Sequence, residues 1–260
     1  MLIDINKPGI YQDPRVRCAL SMAIDRQEII DLTQAGALQV ANSLFSPGQE
    51  GHLDDNGFSP DQDIEGAKAL IADYQKDHPG AIQVSYGHTA DRINAQRAEL
   101  IKGYWAAIGV ETTIEVIPQE QFVTNVICGA DNVFIYDFRL HDGVRIDQQN
   151  FWWNSRNAID DGTGLSLNFG RIRDPVVDEN LATARSNPDA AARKAAAEAV
   201  NRQMAKECYQ IPYSYTEWGT MSKPSVHGLG TATSPDGAVI RDGSDFGGWF
   251  STSTLWVEQG

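Results

Sequence analysis

The hydrophobic residues in the first half of the chain follow two alternating spacings. Four stretches repeat apolar residues every three or four positions and predict helices: residues 13–24, 25–32, 63–75 and 91–108. Four shorter stretches predict strands: residues 2–6, 82–86, 110–117 and 133–138. The last of these is almost continuously apolar, which is typical of a strand buried on both faces. With a short helix predicted over residues 119–127, the alternation of strands and helices indicates an α/β fold with a parallel or mixed sheet.

The second half of the chain is less regular. Residues 139–170 are aromatic and polar without a clear period. Two helices are predicted after them, and they begin at Asp174 and Asp189. Two further strands are predicted over residues 209–215 and 218–222.

One long connection separates the predicted helices of the first half. Residues 36–63 are rich in glycine, proline, asparagine and aspartate, so neither a helix nor a strand is predicted there. Ordered loops of this length are uncommon unless they contribute to function. We therefore expect this loop to line a binding site.

The charge balance narrows the range of partners. The 260 residues include 35 acids and 21 lysines and arginines, which gives a formal net charge of −14. Nucleic acids and anionic membrane surfaces bind basic proteins, so neither is expected as a partner. No apolar run is long enough to span a bilayer, and residues 1–7 lack the apolar core of a signal peptide.

The three cysteines, Cys18, Cys128 and Cys208, are too few and too scattered to predict a disulfide framework. Two of them could pair, and the sequence does not say which two. The interpretation that the sequence favours is three small, buried hydrophobic residues.

The sequence lacks the common signatures of catalysis and of cofactor binding. It has no G-x-S-x-G elbow and no G-K-[ST] phosphate loop. Its five histidines show no H-x-x-x-H spacing, and it has no C-x-x-C pair. We therefore predict a binding protein without a cofactor or metal, and a hydrolase built on an α/β fold is the weaker alternative.

Four segments carry a resemblance to a known family: DPRVRCALSMAIDR at residues 13–26, FSPD and EGAKALI within 58–71, AELI and WAAIGVE within 98–111, and NFG and DPVVD within 168–178. In this order they resemble the family 5 extracytoplasmic solute-binding proteins, which serve oligopeptide and dipeptide ABC importers. Each match alone is weak, because each is a helix start followed by an amphipathic face. Four in register across residues 11–215 make the resemblance specific, although Cys18 replaces a commoner glutamine.

The resemblance implies a type II periplasmic-binding-protein-like fold, in which two lobes close around a ligand. Residues 1–208 would form the C-terminal α/β lobe, with a mixed sheet flanked by helices. Residues 209–260 would return to the N-terminal lobe, most of which would be missing from this sequence. That lobe, the ligand and the membrane permease of an ABC importer are the expected partners.

The same resemblance implies capture of a solute outside the cytoplasm, either in the periplasm or on a lipid anchor. Peptide is the default ligand, and oligosaccharides and other small molecules are the alternatives that relatives bind. An alternative of a different kind is an interaction module that docks to a membrane partner through an exposed apolar patch.

The resemblance also selects candidate ligand-binding residues. In relatives that bind peptides, an aspartate just after the strand matching residues 133–138 receives the ligand's amino group, and here that position falls on His141 or Asp142. Asp142 suits the task better, because a charge-assisted hydrogen bond is about twice as strong as a neutral one. The segment with Tyr86 and His88 matches one that contacts the other end of the ligand, although it lacks the arginine found in dipeptide binders.

Aromatic residues supply further candidates. Phe151, Trp152 and Trp153 form the densest aromatic cluster in the sequence. Aromatic faces stack on peptide side chains, sugars and cations, so Trp152 and Trp153 are candidates for ligand contact. At least one of three consecutive aromatics must point into the core. Phe138 and Asn168 are candidates because the family often lines its pocket at those positions.

Overall fold

A four-stranded mixed sheet organises the structure, a computed structural model that describes residues 1–6, 9–129, 133–138, 146–159, 164–217, 221–228 and 255–258. Its strands are β1 (Leu2–Ile3), β2 (Ile82–Thr89), β3 (Val110–Ile117) and β4 (Ile135–Tyr136), in the order β1-β4-β2-β3. β2 runs parallel to β3 and β4, whereas β1 is antiparallel to β4. The predicted α/β fold with a mixed sheet is therefore confirmed. A separate ribbon pairs β5 (Val226–His227) with β6 (Trp256–Val257).

Aspartate caps begin most of the helices. In the described residues the helices are α1 (Pro14–Met22), α2 (Arg26–Gln34), α3 (Ile64–Asp77), α4 (Arg92–Ala107), α5 (Gln119–Cys128), α6 (Gln149–Trp153), α7 (Pro175–Ser186) and α8 (Ala190–Lys206). The carboxylates that accept a backbone N–H of a first turn are Asp13, Asp25, Asp63, Asp91, Asp174 and Asp189. These bonds satisfy N–H groups that have no partner inside the helix. Among these helices, none is both long enough and apolar enough to cross a bilayer.

Helices cover both faces of the sheet. The face of β2 that carries Tyr86 packs against α1, α3 and α4, where Trp105 is fully buried and donates its indole N–H to the carbonyl of Leu20 at 2.9 Å. The opposite face packs against α5, where the ring of Phe122 meets that of Tyr136 edge-on. Burial on both faces gives the central strands their apolar character.

The long loop after α2 is held against α8 by one buried side chain. Asn201 of α8 accepts hydrogen bonds from the side chains of Ser43 and Asn56, at 3.0 and 2.8 Å. Its amide nitrogen donates to the carbonyl of Gly51 at 2.8 Å. Residues 35–63 contain no helix or strand, as predicted, and these contacts order them nonetheless.

The cysteines correct the expectation from sequence. Cys18 of α1 and Cys208, which follows α8, form a disulfide with a Cα–Cα distance of 5.2 Å across a sequence separation of 190. Cys128 is free and partly buried. The interpretation as three small hydrophobic residues is therefore wrong, because the packing that brings α1 beside the end of α8 leaves no trace in sequence spacing.

Two buried arginines attach the chain after α8 to the body of the fold. Arg17 donates to the carbonyl of Glu207 at 3.0 and 2.7 Å. Arg26 donates to the carbonyl of Pro212 at 2.8 Å. Burial lowers the pKa of both guanidinium groups, that of Arg26 to about 10. The arginines of the first family-like segment therefore have a structural role here.

The strand predicted over residues 209–215 does not form. This stretch pairs first with β1 and then with the loop after α2, through isolated bridges at Gln210 and Ser214. Because the partner changes midway, no continuous ladder extends along it. The segment instead lies against two different parts of the fold, and residues 210–217 line the cavity between them.

Smaller differences concern three other elements. The strand predicted over residues 133–138 is limited to β4, and α6 forms in a stretch predicted to be irregular. A helix of five residues has no detectable period, and its stability comes from tertiary packing. Of the strand predicted over residues 218–222, residues 221–222 are irregular and residues 218–220 lie outside the described part.

Candidate ligand-binding cavity

A cavity of about 230 Å³ lies where the loop after α2, residues 210–217, and two described parts of the chain, Phe138 after β4 and helix α6, come together. The loop contributes Leu38, Ser43, Leu44 and Ser46 to its wall. The long loop thus lines a cavity, as its length and composition led us to expect. Phe138 follows the carboxyl end of β4, and this is the sheet edge at which open α/β folds bind ligands.

A buried ion pair forms one part of the wall. Arg97 lines the cavity and donates from Nε to Oδ2 of Asp137 at 3.0 Å, with the two side chains 1% and 4% exposed. It also donates to the hydroxyl of Tyr213 at 2.6 Å and to Asn94. Burial alone would lower the pKa of Arg97, but the charge of Asp137, together with Tyr213 and Tyr86, outweighs burial and the pKa is raised. The salt bridge sets a buried positive group beside a buried negative one, so this part of the wall carries little net charge.

Tyr86 and Trp105 pack together beneath the sheet, and neither Tyr86 nor His88 is among the described residues that line the cavity. Burial raises the pKa of Tyr86 well above its ordinary value, and the charge of Asp137 adds to the effect. His88 is 1% exposed, with Nδ1 2.8 Å from the carbonyl oxygen of Thr89. In this structure both candidates belong to the packing around β2, and their contact with a ligand stays a prediction.

The three consecutive aromatic side chains point in different directions, because an α-helix such as α6 turns by roughly 100° per residue. Trp153 lines the cavity together with Phe138, and it is 1% exposed within an apolar cluster. Trp152 is partly buried, and its ring centroid lies 5.1 Å from that of Phe169. Phe151 is 53% exposed. One of the three points into the core, as predicted, and it is also the one at the cavity.

Asn168 is fully buried and its side chain is engaged by the backbone. Its nitrogen donates to the carbonyls of Asn154 and Ile172, and its oxygen accepts from the N–H of Ile172. Nearby Asp174 caps α7 and accepts from the hydroxyl of Tyr209 at 2.9 Å. Burial would raise the pKa of Asp174, but side-chain and backbone hydrogen bonds lower it. The fourth family-like segment is structural in this fold, and ligand contact by Asn168 stays a prediction.

Asp142 and His141 lie outside the described residues. The residues described on either side of them include Phe138 and Gln149, and both line the cavity. Asp137, the described acid at the end of β4, is committed to its ion pair. Asp142 therefore remains the predicted acceptor for a ligand's amino group.

Two polar residues of the cavity wall, Arg97 and Gln210, were not selected from the sequence. Arg97 carries a usable signal, because it precedes Ile101 and Trp105 by four and eight residues and so falls on the buried face of α4. A buried cation needs a buried partner, which makes such a position worth examining. Gln210 carries no comparable signal, since the strand predicted over residues 209–215 does not indicate which part of the fold that stretch would meet.

The chemistry of the described wall suits non-covalent binding. Among the described residues, no group of three His, Cys, Asp or Glu side chains is arranged to hold a metal ion. The wall combines apolar surface with amide, hydroxyl and indole groups, from residues such as Leu44, Gln149, Tyr213 and Trp153. Its polar and apolar surfaces are of similar extent, and polar groups at fixed positions orient a small ligand.

Two curated proteins are similar to this chain in sequence. One is the probable di/tripeptide-binding protein 5 of Pseudomonas aeruginosa, 21% identical over 216 residues, which are 83% of this chain and 40% of that protein. The other is the nickel-binding periplasmic protein of Escherichia coli, 24% identical over 225 residues, which are 81% of this chain and 41% of that protein. The chain spans less than half the length of these relatives.

A solved structure and a family model complete the comparison. The ABC transporter-associated periplasmic binding protein DppA from Helicobacter pylori, in complex with peptide STSA, matches 99% of this chain and 46% of its own, with a TM-score of 0.74 and 18% identity. The two proteins therefore share a fold. Residues 3–140, more than half of the chain, match the model described as bacterial extracellular solute-binding proteins, family 5 Middle. The chain belongs to the family 5 bacterial extracellular solute-binding proteins.

Proposed function

We propose that this protein captures a peptide outside the cytoplasm and delivers it to the membrane permease of an ABC importer. The observation that carries the proposal is the cavity between residues 210–217, the loop after α2 and the end of β4. It lies in a chain that shares the fold of a peptide-bound binding protein over 99% of its length. A concave site that combines apolar surface with converging polar groups suits a small ligand with both kinds of group, and a peptide is one.

Two lobes take part in the proposed capture. Residues 1–208 form the C-terminal lobe, and residues 209–260 return to a second lobe. Ligand binding between the lobes stabilises their closed arrangement, and the free energy of binding drives closure. The cavity is this chain's share of the pocket.

Asp142 receives the amino group of the peptide in this proposal. The chain reaches it from Phe138 and continues to Gln149, and both of these residues line the cavity. A carboxylate is a favourable partner for an ammonium group, because the hydrogen bond between them is charge-assisted. A hydrogen bond to a charged group contributes about 1.5–3 kcal/mol.

The disulfide and the relatives support a location outside the cytoplasm. Disulfides persist in oxidising compartments and are rare in the cytosol, and Cys18 is paired with Cys208 here. One of the similar proteins is named as periplasmic. We propose a periplasmic protein or one held outside the membrane by a lipid anchor.

Binding without chemical conversion is the remaining part of the proposal. The similar proteins are named for binding, and the described cavity wall has the composition of a binding site. An oligosaccharide is the second candidate ligand, since Trp153 and Phe138 place aromatic surface in the wall.

Calorimetric titration with a tripeptide such as trialanine tests the proposal. We expect saturable binding by the unmodified chain, and we expect Asp142→Asn to weaken it by about 10- to 100-fold. N-acetyl-trialanine has no ammonium group, so its affinity should be the same for both proteins. Binding of maltotriose with no binding of any tripeptide would contradict the peptide assignment.

A matched variant separates a local effect from a change in net charge. Glu115 is exposed on β3, and Glu115→Gln removes one negative charge as Asp142→Asn does. Its affinity for trialanine should equal that of the unmodified chain. Equal losses in the two variants would show that Asp142 does not contact the peptide.

A further inference from the structure

Two buried polar side chains in the cavity wall have no hydrogen-bond partner in the structure. Trp153 is 1% exposed, and its indole nitrogen is unpaired. Gln210 is 4% exposed, and both the nitrogen and the oxygen of its side-chain amide are unpaired. Buried polar groups are nearly always paired in folded proteins, and an unpaired one costs about 1–3 kcal/mol. These two residues require a hydrogen-bonding group that the described part of the protein does not supply.

We infer that Trp153 and Gln210 form a subsite for an amide group of the ligand. The inference rests on the proposed function, because a peptide carries an amide at every residue. Trp153 offers one N–H donor, whereas Gln210 offers two N–H donors and one acceptor oxygen. An amide presents an acceptor C=O beside a donor N–H, so it pairs with both ends of the glutamine side chain. A second C=O of the same peptide accepts from the indole.

Charged groups fit this part of the wall less well. A carboxylate accepts from both donors but has nothing to donate to the Gln210 oxygen. An ammonium group donates to that oxygen but cannot accept from Trp153. The charged side chains among the described lining residues are Arg97 and Glu217; the first is neutralised by Asp137, and the second is exposed. A neutral group that both donates and accepts is the best complement.

Trapped water is the competing partner for Gln210. A second cavity of about 10 Å³ lies on another side of Gln210, beside Asn201 and Ser43. That volume holds about one water molecule, and the site is polar enough to keep it. Trp153 does not line this small cavity, so a water there leaves the indole unpaired. The large cavity is the space that both residues share, which favours a ligand group there.

Nuclear magnetic resonance with small amide probes tests the subsite directly. The ¹⁵N-labelled chain is titrated with N-methylacetamide, and in parallel with methyl acetate, which has the same shape but no N–H. We expect the side-chain amide resonances of Gln210 to shift saturably with the amide and less with the ester, which cannot donate to the Gln210 oxygen. The indole of Trp153 needs only an acceptor, so its resonance should shift with both probes. The indole of Trp105 is already bonded to Leu20 and serves as the internal control that does not move.

Variants assign the resonances and extend the test to a peptide. Gln210→Leu, which keeps a similar volume, and Trp153→Phe, which keeps an aromatic ring, each remove the corresponding signal. Each should weaken trialanine binding by about 10-fold. The subsite would be refuted if N-methylacetamide left the Trp153 and Gln210 resonances unshifted. It would also be refuted if the Gln210 side chain proved to be hydrogen-bonded only to a bound water. The two proposals fail separately. Peptide binding unaffected by both variants refutes the amide subsite alone, whereas probe shifts without any peptide binding refute peptide capture alone.

Discussion

Replacing Asp137 by asparagine is expected to lower the free energy of unfolding by about 3–5 kcal/mol. The substitution keeps the shape of the side chain but leaves the guanidinium of Arg97 buried without a counter-charge, in a place where the two side chains are 1% and 4% exposed. Removing one partner of a buried pair is far more damaging than removing both, because the remaining charge stays out of water. Urea unfolding followed by circular dichroism measures the change.

A surface pair and a double variant serve as controls for this prediction. Glu65 and Lys68 form an exposed pair on α3, and Glu65→Gln should change the free energy of unfolding by less than about 1 kcal/mol. Combining Asp137→Leu with Arg97→Met removes both charges and should recover most of the stability lost by Asp137→Asn. If Asp137→Asn lowered the free energy of unfolding no more than Glu65→Gln does, the result would contradict a buried ion pair at the cavity wall.

Replacing Cys18 and Cys208 together by serine is expected to lower the free energy of unfolding by about 2–5 kcal/mol. The bridge closes a loop with a sequence separation of 190, so it removes many extended conformations from the unfolded chain. It also joins α1 to the point where the chain leaves α8 toward the cavity. Denaturant unfolding with and without dithiothreitol measures the effect, and the reductant should bring the unmodified protein close to the variant.

The third cysteine provides the matched control. Cys128 is free and partly buried, so Cys128→Ser should leave both the stability and the response to dithiothreitol nearly unchanged. If dithiothreitol destabilises the double variant as much as the unmodified chain, the stabilising bond is not the one between Cys18 and Cys208.

The sheet and most of its helices could be predicted because their signals are local. Aspartate caps such as Asp63 and Asp91 stand immediately before apolar residues at helical spacing, and β3 has the predicted bounds. The absence of a strand at residues 209–215 could not be predicted from local signals. The β propensity of a segment does not indicate whether a single neighbouring strand pairs with it along its length. The bridge between Cys18 and Cys208 is likewise invisible to spacing.

The cavity was predictable in part. Trp153, Phe138 and the long loop were expected near a ligand, and all three line the cavity. Asn168 was selected by resemblance, yet its side chain is engaged in fixing the backbone, since a family motif records structural needs as well as binding. Gln210 was missed because only tertiary folding brings it to the cavity that Trp153 also lines.

The measurement that tests the central claim most directly is native mass spectrometry of the chain mixed with trialanine, repeated after prolonged incubation. Capture without chemistry predicts a complex heavier than the chain by the mass of one tripeptide, and denaturation should release that tripeptide unchanged at both times. Release of alanine or dialanine would show that the protein is a hydrolase. A chain that stays bare with tripeptides but retains an oligosaccharide would show that its ligand is not a peptide.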